Sequence, residues 1–437
     1  MFNKNPLLKI INKRQAGEIS GIPSYCTANE LAIEALLEQG AKLGTEILIE
    51  GTANQINQFG GYTGMTPEDF RDYVFKIAER VGFDKNKIIL GADHFGPLVW
   101  SNLNEKQAMK NSLELVRLAV RAGFKKIHLD TSMKLADDAP YERLSDEKIA
   151  ERGAILLAEC EKTYQELLKQ NPEEVRPVYI IGSEVPIPGG AQEEEVELQV
   201  TKVSDFENTL RIYKKKFEEH GLSERWGDVI GVVVQPGVEF GDKEIHFYNR
   251  EAAKELSAAL KKYPGVVFEG HSTDYQSKER LREMVEDGIA ILKVGPALTF
   301  ALREGLFALS MIESELMSGN RAEFEATLEK VMLENPSHWQ KHYQGSNSGN
   351  FLARRYSYSD RCRYYFSNPE VKAAIKKLFT GIDSFISHDL LLPGLLRQYM
   401  PRQYKRVRDG EIKLKADALV KDFVVAVAED YNFAAGF

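Results

Sequence analysis

Five residues in this chain have the chemistry to hold a metal ion and move protons: Asp93, His94, Asp130, Glu184 and His271. Imidazole and carboxylate ligands together suit zinc, manganese, cobalt, nickel or iron. A divalent ion on His94, Glu184 and His271, with positions left open for substrate oxygens, would polarise a ketone and stabilise the enediolate formed when an adjacent bond breaks. Asp93, beside a ligand histidine, can then serve as general acid or base toward a substrate hydroxyl, with Asp130 as a partner on the other face. Glu50, Gln58, Gln235 and Lys293 are the substrate-binding candidates around them, and the loop after Glu50, GTANQINQFGGYTG, is rich in the amides that grip polyols. His128 lies inside an apolar run and reads as a core histidine satisfied by hydrogen bonds. His220, His246, His338, His342 and His388 have no assigned role.

These residues stand at the ends of short apolar runs, and the runs recur. They cover residues 21–26 (GIPSYC), 46–50 (EILIE), 88–93 (IILGAD), 126–130 (KIHLD), 178–182 (VYIIG), 229–235 (VIGVVVQ), 266–270 (VVFEG) and 289–295 (IAILKVG). Near-continuous apolar strands of this length are buried on both faces, as parallel strands roofed by helices are. Helical patterns separate them, with start signals such as Thr66-Pro67-Glu68-Asp69 and Ser145-Asp146-Glu147, and with Gly123 and Gly288 just past helix ends. Eight βα units in sequence predict a (β/α)8 TIM barrel, with an open doubly wound sheet as the structural alternative. The barrel is expected over residues 1–303, with a helical C-terminal extension over residues 304–437. In such barrels the strand ends meet at one rim, so polar groups scattered along the sequence are gathered there.

Composition limits the rest. The chain has 437 residues, a net charge of -8 and a pI near 5.7, which gives no global basic field for nucleic acid. No apolar run approaches the roughly 18 residues of a membrane helix. The N-terminus lacks the apolar core and cleavage site of a secretory signal, so a cytoplasmic protein is expected. Cys26, Cys160 and Cys362 fit neither a disulfide framework nor a zinc finger and read as free thiols. Near the C-terminus, Arg354, Arg355, Arg361 and Arg363 interleave with Tyr356, Tyr358, Tyr364 and Tyr365. This pattern suits a phosphate clamp, with Arg355 as the leading candidate, and suits equally a subunit interface in a homo-oligomer.

The runs NQINQFGGYTGMTPEDF, GADHFGPLVW, GFKKIHLDTSM, VVQPGVEF, HSTDYQ, ILKVGPALTFALREGLFAL and RRYSYSDRCRYY resemble the GatZ/KbaZ family of class II tagatose-bisphosphate aldolase accessory subunits, over nearly the whole chain. The Asp-His pair at positions 93 and 94 is more distantly similar to class II fructose-bisphosphate aldolases, where such an Asp acts on a substrate hydroxyl and such a His binds zinc. His271 falls where those aldolases place another zinc ligand. Two departures stand out: Gln235-Pro236-Gly237 occupies the place of a further zinc-binding histidine, and His271-Ser272-Thr273-Asp274 replaces a glycine-rich phosphate loop. Some relatives carry a tagatose 6-phosphate kinase label, but the chain has no G-x-x-x-x-G-K-[ST] loop.

The resemblance implies a metal-dependent ketohexose or ketohexose-phosphate 4-epimerase, interconverting fructose-type and tagatose-type sugars, most readily as the 6-phosphates. The alternative it implies is a non-catalytic accessory subunit that stabilises a class II aldolase catalytic subunit. An aldolase acting alone is disfavoured by the two departures.

Overall fold

The computed structural model describes residues 4–139, 143–183 and 198–437. Its eight principal strands form at the eight apolar runs: β1 (Ile22–Cys26), β2 (Ile47–Thr52), β3 (Ile88–Phe95), β4 (Lys126–Leu129), β5 (Val178–Ile181), β6 (Val229–Val234), β7 (Val267–Gly270) and β8 (Ile289–Val294). Every pairing is parallel and β8 returns to β1, so the sheet closes as the predicted barrel rather than opening as a doubly wound sheet. A two-stranded ribbon, Glu239–Phe240 with Ile245–His246, stands apart from the barrel.

The helices between strands start where the sequence signals them. Thr66 accepts from the Asp69 amide and Asp69 returns a bond to the Thr66 amide, a complete capping box. Ser145 caps the helix Asp146–Gln170 by accepting from the Lys148 amide. The core divides in two. The larger part lies between the strands and the surrounding helices. A smaller apolar cluster fills the lower barrel, where Leu7, Ile10 and Ile11 meet Leu48, Ile89, Val178, Val267 and Ile291. Leu8–Gln15 is therefore an amphipathic helix whose apolar side helps close the barrel floor.

After β8, the helix Pro296–Leu316 runs through position 303, where the sequence reading divides barrel from extension. The chain then continues as helices, of which Ala416–Ala435 returns to the barrel. Tyr431 on that helix donates to the Thr273 carbonyl at 2.8 Å, and Tyr25 on β1 donates to Asn432 at 3.3 Å. The extension thus fixes the loop after β7. No described helix is long and apolar enough to cross a membrane.

Candidate metal centre at the barrel mouth

Inside a barrel strand every second residue points to the axis. On β4 and its end this rule sends Lys126, His128 and Asp130 inward; on β7 and its end it sends Glu269 and His271. Glu50 from β2 and Lys293 from β8 join them, and Gly91 on β3 leaves space, since a Cβ there would collide with the Glu50 carboxylate. Asp93 and His94 are adjacent, so alternation alone would turn one of them outward. The register shifts here: Ala92 pairs with Ile127 and Phe95 with Leu129, three steps on β3 against two on β4. His94 takes a left-handed backbone with φ of 51°. This bulge lets both side chains reach the mouth.

Three imidazoles meet there. Ring centroids lie 5.0 Å apart for His94 and His128, 4.9 Å for His94 and His271, and 5.1 Å for His128 and His271. One ligand atom from each, together with an Asp93 oxygen, falls within 4.8 Å of all the others. His128 therefore does not behave as the self-satisfied core histidine expected from the sequence. Its ring is fully buried, yet Nε2 has no hydrogen-bond partner. The period-two pattern of KIHLD points it into the barrel, not into the packing between strands and helices.

Each ring is oriented from behind. His94 Nδ1 lies 2.7 Å from Asp130 Oδ2, leaving Nε2 as ligand; His271 Nε2 lies 2.9 Å from Glu269 Oε1, leaving Nδ1. His128 Nδ1 lies 3.2 Å from Asp93 Oδ1 and 3.3 Å from the His94 amide, which donates toward it; the tautomer that donates to Asp93 leaves Nε2 as the lone-pair donor, and the one that accepts from the amide puts the proton on Nε2. Metal-ligating imidazoles are commonly oriented in this way, with one nitrogen on a carboxylate and the other turned to a shared point. Burial, reinforced at both residues by neighbouring imidazoles, lowers the pKa of His128 and of His271 to about 4, so both are neutral and able to coordinate near pH 7.

The charges below the imidazoles support the same conclusion. Lys126 Nζ is 2.6 Å from Glu50 and 2.7 Å from Glu269, with all three side chains fully buried. Lys293 pairs with Asp93 and lies 3.3 Å from Glu50. Burial alone would raise the carboxyls and lower Lys126. The paired charges win, holding Glu50 and Glu269 below the ordinary carboxylate value and Lys126 above the ordinary lysine value. Burial likewise opposes ionisation of Asp130, but its bonds from His94 and Ser132 keep it well below the usual range. Four carboxylates (Glu50, Asp93, Asp130, Glu269) against two ammonium groups (Lys126, Lys293) leave a formal charge of two negatives on the side chains around the imidazoles. A divalent cation cancels that charge. The residues fit a metal ion, and His94, His128 and His271 would hold it, with Asp93 beside them.

The cavity above has an empty volume of about 670 Å³ including its open mouth. Asp93, His94, His271 and Lys293 line it with Cys26, Gln55, Asp274 and Arg363. Burial pushes the Cys26 thiol up to about 12, so it stays protonated and serves as a weak hydrogen-bond donor toward Glu50 and Asp93. Asp274 accepts from the Gly295 and Ala297 amides, and burial pushes it up to about 6.

Other sequence candidates sit elsewhere. Asp130 is not on the cavity wall: one oxygen takes His94 and the other accepts from Ser132 Oγ at 2.7 Å, so it stands behind His94. Glu50 lies beneath the mouth in the ion lattice. Gln58 donates to the Asn111 carbonyl at 3.0 Å, outside the cavity, and Gln55 takes the wall position instead. Gln235 Oε1 accepts from the Gly237 and Val238 amides, both at 2.9 Å, and so closes the turn after β6. The third imidazole comes from β4, not from β6. Arg355 pairs with Glu325 and lies 4.8 Å from the Phe307 ring centre, away from the mouth; Arg363 is the arginine of that segment on the cavity wall. Glu184 lies outside the described residues. Lys126, His128 and Glu269 escaped a reading confined to strand ends, although strand parity carried their signal.

Comparison with known proteins agrees on one family. The model of the "D-tagatose-1,6-bisphosphate aldolase subunit GatZ/KbaZ-like" family matches residues 7–436. The "D-tagatose-1,6-bisphosphate aldolase subunit GatZ" of Escherichia coli O1:K1 is 44% identical over 425 residues, covering 97% of this chain and 98% of the relative. The protein of the same name from Shigella boydii serotype 18 is 43% identical over the same share of each chain. The crystal structure of a "probable tagatose 6 phosphate kinase" from Sinorhizobium meliloti 1021 superposes with a TM-score of 0.85 at 43% identity, covering 95% of this chain and all of that one. With a family model spanning nearly every residue and relatives matched end to end, the chain belongs to the GatZ/KbaZ-like family of tagatose-1,6-bisphosphate aldolase subunits.

Proposed function

We propose that this chain works as the subunit that accompanies a class II tagatose-1,6-bisphosphate aldolase catalytic chain, and that its barrel mouth binds a ketose phosphate. The observation that carries the first part is the 44% identity to proteins named as that subunit, sustained over 97% of the chain. The comparisons therefore favour the accessory reading over the epimerase reading that the sequence placed first. The test mixes the purified chain with a class II tagatose-bisphosphate aldolase catalytic chain and follows aldol cleavage and the half-life of activity at elevated temperature. A rise in either supports the reading, and no change at saturating excess, with no complex by light scattering, removes it.

A second reading, metal-dependent ketose 4-epimerisation by this chain itself, is favoured by one observation: the imidazole cluster with its unpartnered His128 Nε2. When bound, a divalent cation supplies the polarisation of a ketone carbonyl. The chain's own groups would do the rest. Asp93, held against Lys293, takes the proton of the C4 hydroxyl as the C3–C4 bond opens, so that C4–C6 becomes the aldehyde and the bond pair passes to C3 of the carbonyl-bearing C1–C3 fragment as an enediolate. The aldehyde turns, the bond re-forms on its other face, and Asp93 returns the proton. The cavity wall keeps the two fragments together during the turn. A kinase activity is not proposed, because the chain has no phosphate-binding G-x-x-x-x-G-K-[ST] loop.

The test loads the protein with manganese, cobalt, nickel or zinc and follows fructose 6-phosphate and fructose for the C4 epimer. Asp93→Asn is expected to lower turnover by about 10²- to 10⁴-fold. Full turnover after exhaustive chelation, with metal absent by elemental analysis, would sink the metal-dependent route.

A further inference from the structure

Barrels of this architecture commonly seat a substrate phosphate on backbone amides after the seventh and eighth strands, at the N-terminus of the helix that follows. Here a carboxylate of the chain itself fills that place. Asp274 Oδ1 accepts from the Gly295 amide at 3.0 Å and from the Ala297 amide at 2.8 Å, at the start of the helix Pro296–Leu316. Asp274 is buried and lines the cavity, so a phosphate brought there would meet an acid and occupied amides.

A phosphate entering this mouth needs another cation, and Arg363 is placed to supply it. It lies on the wall of the metal-site cavity and on the wall of a larger groove that continues from it toward the C-terminal helices. Its guanidinium is held 4.5 Å from the Tyr364 ring centre. It donates to the carbonyls of Ser359 and Asp360 and to the Tyr364 hydroxyl. These three bonds fix the fork in space and leave two of its five N–H donors. Among the described residues no carboxylate is bonded to it. Its neighbours in the segment are committed elsewhere: Arg354 to Glu329, Arg355 to Glu325 and Arg361 to the His338 carbonyl.

The groove has the matching charge. Glu30 is paired with Arg80 at 2.8 Å and Asp417 with Lys415 at 3.0 Å, while Asp383 accepts from the Ala416 amide at 2.8 Å and keeps its charge, one acid against Arg363, Lys372 and Lys376. Lys372 and Lys376, one turn apart on the helix Pro369–Ser387, line the same groove and form no ion pair among the described residues. The surplus charge on this side of the mouth is positive.

We propose that Arg363, supported by Lys372 and Lys376, anchors the phosphate of a ketose phosphate whose carbonyl end lies at the imidazole cluster. The phosphate seat has moved from the β7–β8 amides to the C-terminal extension. This rests on the reading that the mouth binds a ketose phosphate. It assigns the extension a direct part in substrate selection, through a planar fork suited to bidentate phosphate contact.

The test measures binding of fructose 6-phosphate, fructose and inorganic phosphate to the metal-loaded full chain by calorimetry. The unsubstituted protein should prefer fructose 6-phosphate to fructose. Arg363→Gln should shrink that preference by about ten- to a hundredfold, the usual weight of hydrogen bonds to a charged group. The double variant Lys372→Ala, Lys376→Ala should shrink it by a few-fold, and more at low salt than at high salt. An Arg363→Gln protein with unchanged circular dichroism and an undiminished preference overturns the assignment and leaves the ketose phosphate reading standing. An unsubstituted protein that binds none of the three ligands removes that reading and this inference with it. Should Arg363→Gln fail to fold, phenylglyoxal modification of the unsubstituted protein decides. Fructose 6-phosphate, but not fructose, should protect Arg363 in the peptide map, and equal labelling with both overturns the assignment.

Discussion

In its lower half the barrel is filled by Leu48, Ile89, Val267 and Ile291, joined by Ile10 and Ile11 of the N-terminal helix. Two residues further along the same inward faces stand Glu50, Glu269 and Lys293, and above these Asp93 and His271. The strands run through both halves, and the register shift of β3 against β4 between Ala92 and Phe95 falls in the upper one. Below, each side chain contributes by leaving water and filling volume. Above, the charged groups are buried, and the layer holds because Glu50, Glu269 and Asp93 face Lys126 and Lys293 while Asp130 is hydrogen-bonded by His94 and Ser132. The lower layer stabilises the fold; the upper layer depends on that rigidity to hold groups that would repel or hydrate if free.

The largest expected effect breaks the upper layer. Lys126→Met leaves Glu50 and Glu269 to share Lys293, at 3.3 and 3.9 Å, as their one remaining lysine, and should destabilise the protein by about 3–5 kcal/mol, read from urea unfolding at pH 7. Metal affinity should fall with it, because Glu269 orients His271. The counterpart below is Leu48→Ala. It should cost about 2–4 kcal/mol through lost burial and a cavity, with metal content unchanged by elemental analysis. If Leu48→Ala also emptied the site, the two layers would not be separable as described.

Next comes the imidazole that the sequence reading set aside. His128→Ala should weaken zinc binding by about a hundredfold or more, measured by competition with a chromogenic chelator. Unchanged affinity would return His128 to a packing role. The smallest effect concerns Asp274, the acid that fills the amide site. Its folded pKa is raised to about 6, so the folded state binds its proton more tightly than the unfolded chain does. This group's contribution to stability is therefore greatest at low pH. It declines as pH rises from the ordinary carboxylate value to about 6, and is level above that. Asp274→Asn should remove that slope from the difference between the two stability profiles over this interval, and an unaltered slope would assign the titration elsewhere.

The chain's own pattern was enough for the barrel. Eight apolar runs, each five to seven residues long and separated by capped helices, leave closure as the arrangement that buries both faces of every strand. Asp93, His94, His271 and Lys293 were also legible, because charge at the end of an apolar strand must face the rim. Lys126, His128 and Glu269 carried an equally simple signal in strand parity, since KIHLD and FEGH put them on one face.

What the sequence could not decide depends on where side chains turn after the strands end. The bulge at Ala92 and Phe95 brings Asp93 and His94 to the same mouth, and it exists only in the pairing of β3 with β4. The amides of Gly295 and Ala297 are closed by Asp274, from the end of a different strand. Four arginines of one type within ten residues are chemically alike in the sequence; three are held by Glu329, Glu325 and the His338 carbonyl, and Arg363 alone of the four lines the cavity. Composition and periodicity fix which face of an element is buried. Only the packing of distant elements fixes which of several identical charges is held away from the cavity and which reaches its wall.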